Sequence, residues 1–199
     1  TTDAPEVPDV GSGSGSATAT TEVPTTTVQT MLQDQRAAIA RGDLDAVILA
    51  AAGLARLGRT SAVTEFLEPD QMLPAPGQGS LGVEAAGDLA ERDPDLHKAL
   101  STLDDFSTHV AVDAERAVLN ALEAGCTAPV GALATVTPAP SEVKAESEVH
   151  LQAMTAAVDG SQMIRMSITG NASQAAELGR ELAALLLAAG AADLLGEHE

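Results

Sequence analysis

With 199 residues, a formal net charge of −19 and only two aromatic side chains, the chain must build its core from Ala, Leu, Val, Ile and Met. Strong acidity excludes a binding surface for nucleic acid or for anionic membranes, because both need clustered basic side chains. A single cysteine, Cys126, excludes an internal disulfide, and neither a run of about 20 apolar residues nor a signal peptide is visible, so the cytoplasm is the expected compartment.

The first 29 residues are rich in Thr, Ser, Gly, Pro and Ala, and their few charges are all acidic. Gly11–Ser16 alternates glycine with serine, which is typical of a flexible linker. A segment of this composition cannot bury enough apolar surface to offset the entropy lost on ordering. Residues 1–29 are therefore predicted to be a disordered linker or insertion.

The next part of the chain alternates short apolar runs with turns. A helix is expected over Met31–Ala40, and the nearly continuous apolar run Asp45–Ala52 is typical of a strand buried on both faces of a parallel sheet. A glycine-bracketed turn carrying Arg56 follows. After a proline-rich bend, Leu81–Ala85 predicts another short strand.

Residues 91–199 have the pattern of a small α+β domain. The apolar spacing predicts a helix over about 94–102, a long amphipathic helix ending near Gly125, three strands around 130–136, 149–153 and 164–168, and a helix over about 175–189. Gly125 suits the left-handed position after the long helix, and Glu115 is assigned to its polar side. Asn171 and Gln174 resemble a capping box before the last helix.

Cys126 lies where a helix should end and a strand should begin. The partial negative charge of a helix C-terminus disfavours a thiolate, so the local field does not favour a fast, recycled nucleophile. From the local sequence alone, a buried and inert thiol is favoured over a functional one.

Three stretches together resemble the hydroxymethylbilane synthase family, also called porphobilinogen deaminase. Glu115–Gly131 reads Glu-Arg, an apolar helical run, Gly-Cys and then Pro-Val-Gly, with Ala124 replacing the family's usual first glycine. Leu73–Glu84 reads Leu-Pro-Ala-Pro-Gly-Gln-Gly-Ser-Leu-Gly-Val-Glu, and Asp45–Gly58 is close to the strand and turn that precede this run. The resemblance covers about residues 42–190, which correspond to the C-terminal part of the family's length.

The resemblance implies an activity and a cofactor. Members join four porphobilinogen molecules into the linear tetrapyrrole hydroxymethylbilane with release of ammonia. By resemblance, Cys126 would carry a dipyrromethane cofactor through a thioether bond, while Arg56 and Gln78 would face the cofactor and the growing pyrrole chain. The catalytic aspartate is expected in an N-terminal domain that this chain lacks, so no catalytic residue and no metal ligand is assigned here. A full-length member would be a monomer.

The resemblance also implies a fold, α/β plus α+β. Incomplete periplasmic-binding-protein-like α/β domains would be followed by a small α+β domain with a three-stranded antiparallel sheet and helices. The expected divisions are a remnant of the second α/β domain over 30–71, a crossover strand returning to the first domain over 72–90, and the cysteine-bearing domain over 91–199.

Three hypotheses about function remain open from the sequence. The chain is a hydroxymethylbilane synthase that is inactive without its N-terminal part, or a non-catalytic module derived from that family that binds a tetrapyrrole or a partner protein. A periplasmic-type binding protein rests on fold analogy alone.

Overall fold

The computed structural model describes residues 25–125, 128–140, 143 and 146–195. It divides into two compact units, Thr1–Phe66 and Leu67–Glu199. Most of the predicted disordered segment, residues 1–24, lies outside the described residues. No helix in the described ranges is long and apolar enough to cross a bilayer.

The described part of the first unit is helical. Helix α1 spans Thr25–Arg41, so the helix predicted at Met31–Ala40 is confirmed and begins earlier than expected. Helix α2 spans Ala51–Arg56, and a 3-10 turn covers Thr60–Ala62.

The strand predicted over Asp45–Ala52 is wrong. No strand is assigned to this segment, and the Ala50 carbonyl accepts bonds from Gly53 and Leu54 as α2 begins. The side chain of Ile48 is 64% exposed. An apolar run becomes a strand only where another backbone pairs with it, and no described segment does so here.

The second unit begins with a long irregular segment and three helices: α3 over Leu89–Arg92, α4 over Pro94–Ser101 and α5 over Phe106–Ala121. The strand predicted at Leu81–Ala85 is also wrong, since this segment is irregular and Leu81 is 85% exposed. The prediction failed for the same reason, because no described strand pairs with it.

A three-stranded antiparallel sheet follows, as predicted. Strands β1 (Val130–Thr137), β2 (Glu148–Ala156) and β3 (Met163–Asn171) lie in the order β1-β2-β3. In register, Ala132 lies opposite Ala153, which lies opposite Met166. Two-residue alternation therefore places one set of side chains from each strand on the same face.

That face carries the core. Helix α6 (Ala175–Ala188) packs with α5 over the sheet, and α7 (Ala191–Leu195) closes the end. The predicted apolar stripe of α5 is confirmed at five buried positions: Val110, Ala114, Ala117, Val118 and Leu122. Helices α5 and α6 approach closely at Gly179, where an added Cβ would overlap the Ala114 carbonyl oxygen.

Two predicted helix caps are corrected. Helix α5 ends before Gly125, and Glu123 takes the left-handed position at φ 51°. The amides of Glu123 and Ala124 donate to the carbonyls of Asn120 and Leu119, the paired bonds of a Schellman motif. At the start of α6, Asn171 accepts from the Ser173 amide and opens a 3-10 turn over 172–174, so Gln174 forms no capping box with it.

Candidate functional site

The predicted cofactor residue Cys126 lies, with Thr127, outside the described residues. The residues on either side are described. The Ala128 amide donates to the Gly125 carbonyl at 3.1 Å, and the Pro129 carbonyl accepts from the Ala156 amide at the end of β2. The chain on both sides of Cys126 is therefore tied into the second unit by backbone hydrogen bonds.

An irregular segment, Pro69–Ser80, runs over the sheet, and we call it the strap. At its start, the Arg165 guanidinium on β3 donates to the carbonyls of Pro69 and Asp70 at 3.2 and 2.6 Å. The same guanidinium donates to the Gln152 side chain on β2 at 2.7 Å. An arginine suits this junction because its fork offers several donors in fixed directions.

The middle of the strap covers the outer edge of β1. The Pro74 carbonyl accepts from the Ala132 amide at 2.9 Å, which satisfies one donor of that edge. Leu73 is buried and packs against Gly131, where an added Cβ would lie 2.9 Å from the Leu73 Cβ. The glycine of the Pro-Val-Gly motif thus leaves room for the leucine of the Leu-Pro-Ala motif.

Glu115 holds the far end of the strap. Its Oε2 accepts from the Gly77 amide at 2.7 Å, and its Oε1 accepts from the Ala134 amide of β1 at 2.8 Å. The side chain is 6% exposed, so its assignment to the polar side of the helix is wrong. At 100° per residue, Glu115 lies only about 20° from Leu122 at the margin of the apolar stripe, which is the signal that could have indicated its burial.

The other predicted site residues are exposed and lie in different units. Gln78 belongs to the turn at the end of the strap. Its backbone amide donates to the Ala75 carbonyl at 3.2 Å, and its side chain is exposed. Arg56 is the last residue of α2 in the first unit and is also exposed. The structure therefore brings together the strap and the strand that follows Cys126, while Arg56 belongs to the other unit.

Among the described residues of the second unit, two ionisable groups have shifted pKa values, and both are exposed groups with local causes. A hydrogen bond from the His109 ring to Asp104, with the charges of Asp104 and Asp113, raises the pKa of His109 above 6.5. Hydrogen bonds from Ser161 lower the pKa of Asp159 at the β2–β3 turn. The described residues contain no cluster of His, Cys, Asp and Glu that could hold a metal ion.

Comparison with known proteins finds a family model that matches each half of the chain. Residues 15–93 match the model of the dipyrromethane cofactor binding domain of porphobilinogen deaminase, and residues 109–188 match the model of its C-terminal domain. Porphobilinogen deaminase of Nocardia farcinica is 52% identical over 167 residues, covering 83% of this chain and 47% of that protein. Porphobilinogen deaminase 1 of Streptomyces avermitilis is 52% identical over 162 residues, covering 79% and 48%.

The two matched domains, in this order, define a class of transferases of porphyrin biosynthesis. The chain belongs to the porphobilinogen deaminase family. It spans about half the length of the curated relatives that it matches.

Proposed function

We propose that this chain supplies the cofactor-carrying part of a hydroxymethylbilane synthase, the enzyme that joins four porphobilinogen molecules into hydroxymethylbilane with release of ammonia. The observation that carries the proposal is the contact between two motif stretches. The Leu-Pro-Ala-Pro-Gly-Gln-Gly run forms the strap, and it is fastened to the strand that begins four residues after Cys126.

Cys126 is proposed as the covalent anchor of dipyrromethane. Its sulfur would bond to the aminomethyl carbon of one porphobilinogen, whose C–N bond breaks, and ammonia leaves with the thiol proton. The aminomethyl carbon of a second porphobilinogen then bonds to the free α-carbon of the first pyrrole, and ammonia leaves with the proton from that carbon. An anchor reacts once, so it does not need the strongly depressed thiol pKa of a recycled nucleophile.

Arg56 and Gln78 are proposed to contact the cofactor and the growing chain. A guanidinium binds a carboxylate through two parallel hydrogen bonds, which suits the acidic side chains of pyrroles, and Gln78 offers an amide at the end of the strap. The cofactor binding domain match over 15–93 includes both residues, whereas the C-terminal match includes Cys126. On this proposal the cofactor touches both matched regions.

Electrostatics argues that the chain needs further cations to act. The substrate and the growing product carry many carboxylates, whereas this chain has 10 Lys and Arg against 29 Asp and Glu. A site for several carboxylates is unfavourable in so acidic a molecule unless basic side chains come from elsewhere. We therefore propose that the chain is inactive alone. We also propose that sequence outside it supplies the catalytic aspartate, and that the complete enzyme is a cytoplasmic monomer.

The decisive measurement is the intact mass of the purified chain after co-expression with the N-terminal half of the Nocardia farcinica relative. We expect an added mass of two porphobilinogen molecules less two ammonia molecules, present in the wild type and absent in Cys126→Ser. A single cooperative melting transition would show that the serine variant is folded. An unmodified wild-type mass in the presence of the added half would contradict the anchor role.

The second candidate function, a non-catalytic partner-binding module, is favoured by one observation. Leu81 and Val83 expose 85% and 62% of their surface on an irregular segment that matches a family motif. A chain that binds the complementary half stoichiometrically, yet never acquires a pyrrole adduct, would support this candidate over the synthase.

A further inference from the structure

Glu115 is the one charged side chain that is buried within the described ranges, and its surroundings explain why a carboxylate is there. Its two oxygens accept hydrogen bonds from two backbone amides, those of Gly77 on the strap and Ala134 on β1. No described cation forms an ion pair with it. The negative charge is therefore stabilised by two peptide donors rather than by a counter-ion.

Such an arrangement exceeds what sheet-edge protection requires. A neutral acceptor would satisfy the Ala134 amide, just as the Pro74 carbonyl satisfies the Ala132 amide two residues earlier. Burying a carboxylate is costly unless its oxygens are hydrogen-bonded. The second bond, to Gly77, gains nothing for the edge of β1, but it fixes the strap at the residue that precedes Gln78.

We propose that Glu115 is a positioning residue for the cofactor site, which acts through the Gly77 amide. By holding Gly77 and Ala134 on one carboxylate, it sets the distance between the Gln78 turn and the strand that follows the proposed anchor Cys126. The Gln78 turn at the end of the strap is then already in position when dipyrromethane forms. This inference rests on the proposed function and adds to it a residue that does not itself touch the cofactor.

The test uses the full chain with the complementary N-terminal half, and it compares Glu115→Gln with two controls. Glutamine keeps the length of the side chain but has only one acceptor oxygen, so one of the two amides meets an NH2 group instead. Glu181→Gln removes the same charge at an exposed position of α6. Val110→Ala weakens the core of α5 at a residue that forms no bond to the strap.

Two readouts separate positioning from general stability. Hydrogen exchange of the peptide covering residues 74–81 should accelerate about tenfold in Glu115→Gln. The exchange rate of a β2 peptide over 149–156, divided by the rate of exchange through global unfolding, should keep its wild-type value. The rate of adduct formation with porphobilinogen, normalised to folded protein, should fall at least about tenfold. Glu181→Gln should change neither, and Val110→Ala should lower the melting temperature without slowing adduct formation on folded protein. Glu115→Asp, which keeps both acceptors, should partly restore the rate.

The outcomes distinguish this inference from the proposed function. An unchanged rate of hydrogen exchange in the strap of Glu115→Gln would overturn the positioning role, whether or not an adduct forms. Faster exchange with a wild-type loading rate would reduce Glu115 to a structural residue. A wild type that never loads would overturn the proposed function, while the exchange measurement would still decide whether Glu115 holds the strap.

Discussion

At the scale of single residues, several motif positions have a structural reason. Glu123, two positions before Gly125, takes a left-handed conformation at φ 51° to complete the Schellman motif. Most side chains lose about 1 kcal/mol or more in that conformation, so position 123 is where a glycine would relieve strain. Gly125, by contrast, is not at positive φ. The Glu-Arg motif likewise supplies, through Glu115, the acceptor for two backbone donors.

His109 predicts a pH dependence of stability at this scale. The raised pKa of His109 means that its proton binds more tightly in the folded state, through Asp104 first and then Asp113. The stabilisation is complete below the unfolded pKa of about 6.5 and is lost as pH rises through the higher folded pKa.

The pair is exposed, so replacing His109 with Gln should lower the melting temperature by about 1 to 2 °C at pH 5.5 and not at all well above the folded pKa. Thermal melts of both proteins from pH 5.5 to 9 would check this. A difference that is constant across that range would refute the assignment to the histidine charge.

At the scale of elements, the strap is the feature that links β3, β1 and α5 of the second unit. It is fastened to β3 through Arg165, to β1 through Pro74 and to α5 through Glu115. Each of these bonds joins residues that are far apart in sequence, so the strap depends on the finished sheet and helix. Its contacts in turn cover the edge of β1, where unpaired amides would otherwise invite association.

Gly131→Ala should loosen the strap. The added Cβ would lie 2.9 Å from the Leu73 Cβ, 3.1 Å from the Leu73 carbonyl oxygen and 3.1 Å from a side-chain carbon of Met154, so the strap backbone must move. We expect a loss of about 1–3 kcal/mol in the free energy of unfolding, together with faster hydrogen exchange of the strap.

Gly87→Ala is the matched control, because its added Cβ meets nothing within 4 Å and its φ is not positive. It should change stability by less than about 0.5 kcal/mol. Equal effects of the two substitutions would show that the close approach of Leu73 to Gly131 is not what makes glycine necessary.

At the scale of the whole molecule, the two units differ in how many of their apolar side chains are buried. Neither α2 nor the 3-10 turn of the first unit contains a buried residue, whereas the second unit encloses a core built on α5, α6 and the sheet. The apolar side chains of Ile48 and Leu49 are exposed in the first unit. Local opening should therefore cost much less free energy there.

Limited trypsin digestion should reveal this difference. We expect cleavage after Arg56 and Arg59 well before cleavage after Arg116, Arg165 or Arg180, which lie on the helices and strand that build the core of the second unit. Digestion in urea, where every site is open, provides the control for intrinsic cleavage rates. Simultaneous cleavage at Arg56 and Arg180 in buffer would contradict the expected order.

The sequence alone determined those features that depend on neighbours along the chain. The apolar stripe of α5 and the two-residue alternation of β1, β2 and β3 are local periodicities, so α5, α6 and the antiparallel sheet were predicted correctly. The motifs around Leu73 and Cys126 also identified the family without a structure. The domain divisions and the roles of Cys126, Arg56 and Gln78 stay predictions.

Only the tertiary structure decided where segments distant in sequence meet. The strands expected at Asp45–Ala52 and Leu81–Ala85 failed because a strand needs a partner backbone, which an apolar run cannot specify by itself. Glu115 looked like a solvent-facing charge because its two amide partners, at positions 77 and 134, come to it only when the strap closes over β1. Hydrogen bonding between distant segments makes burial of that carboxylate favourable, and no local pattern encodes it.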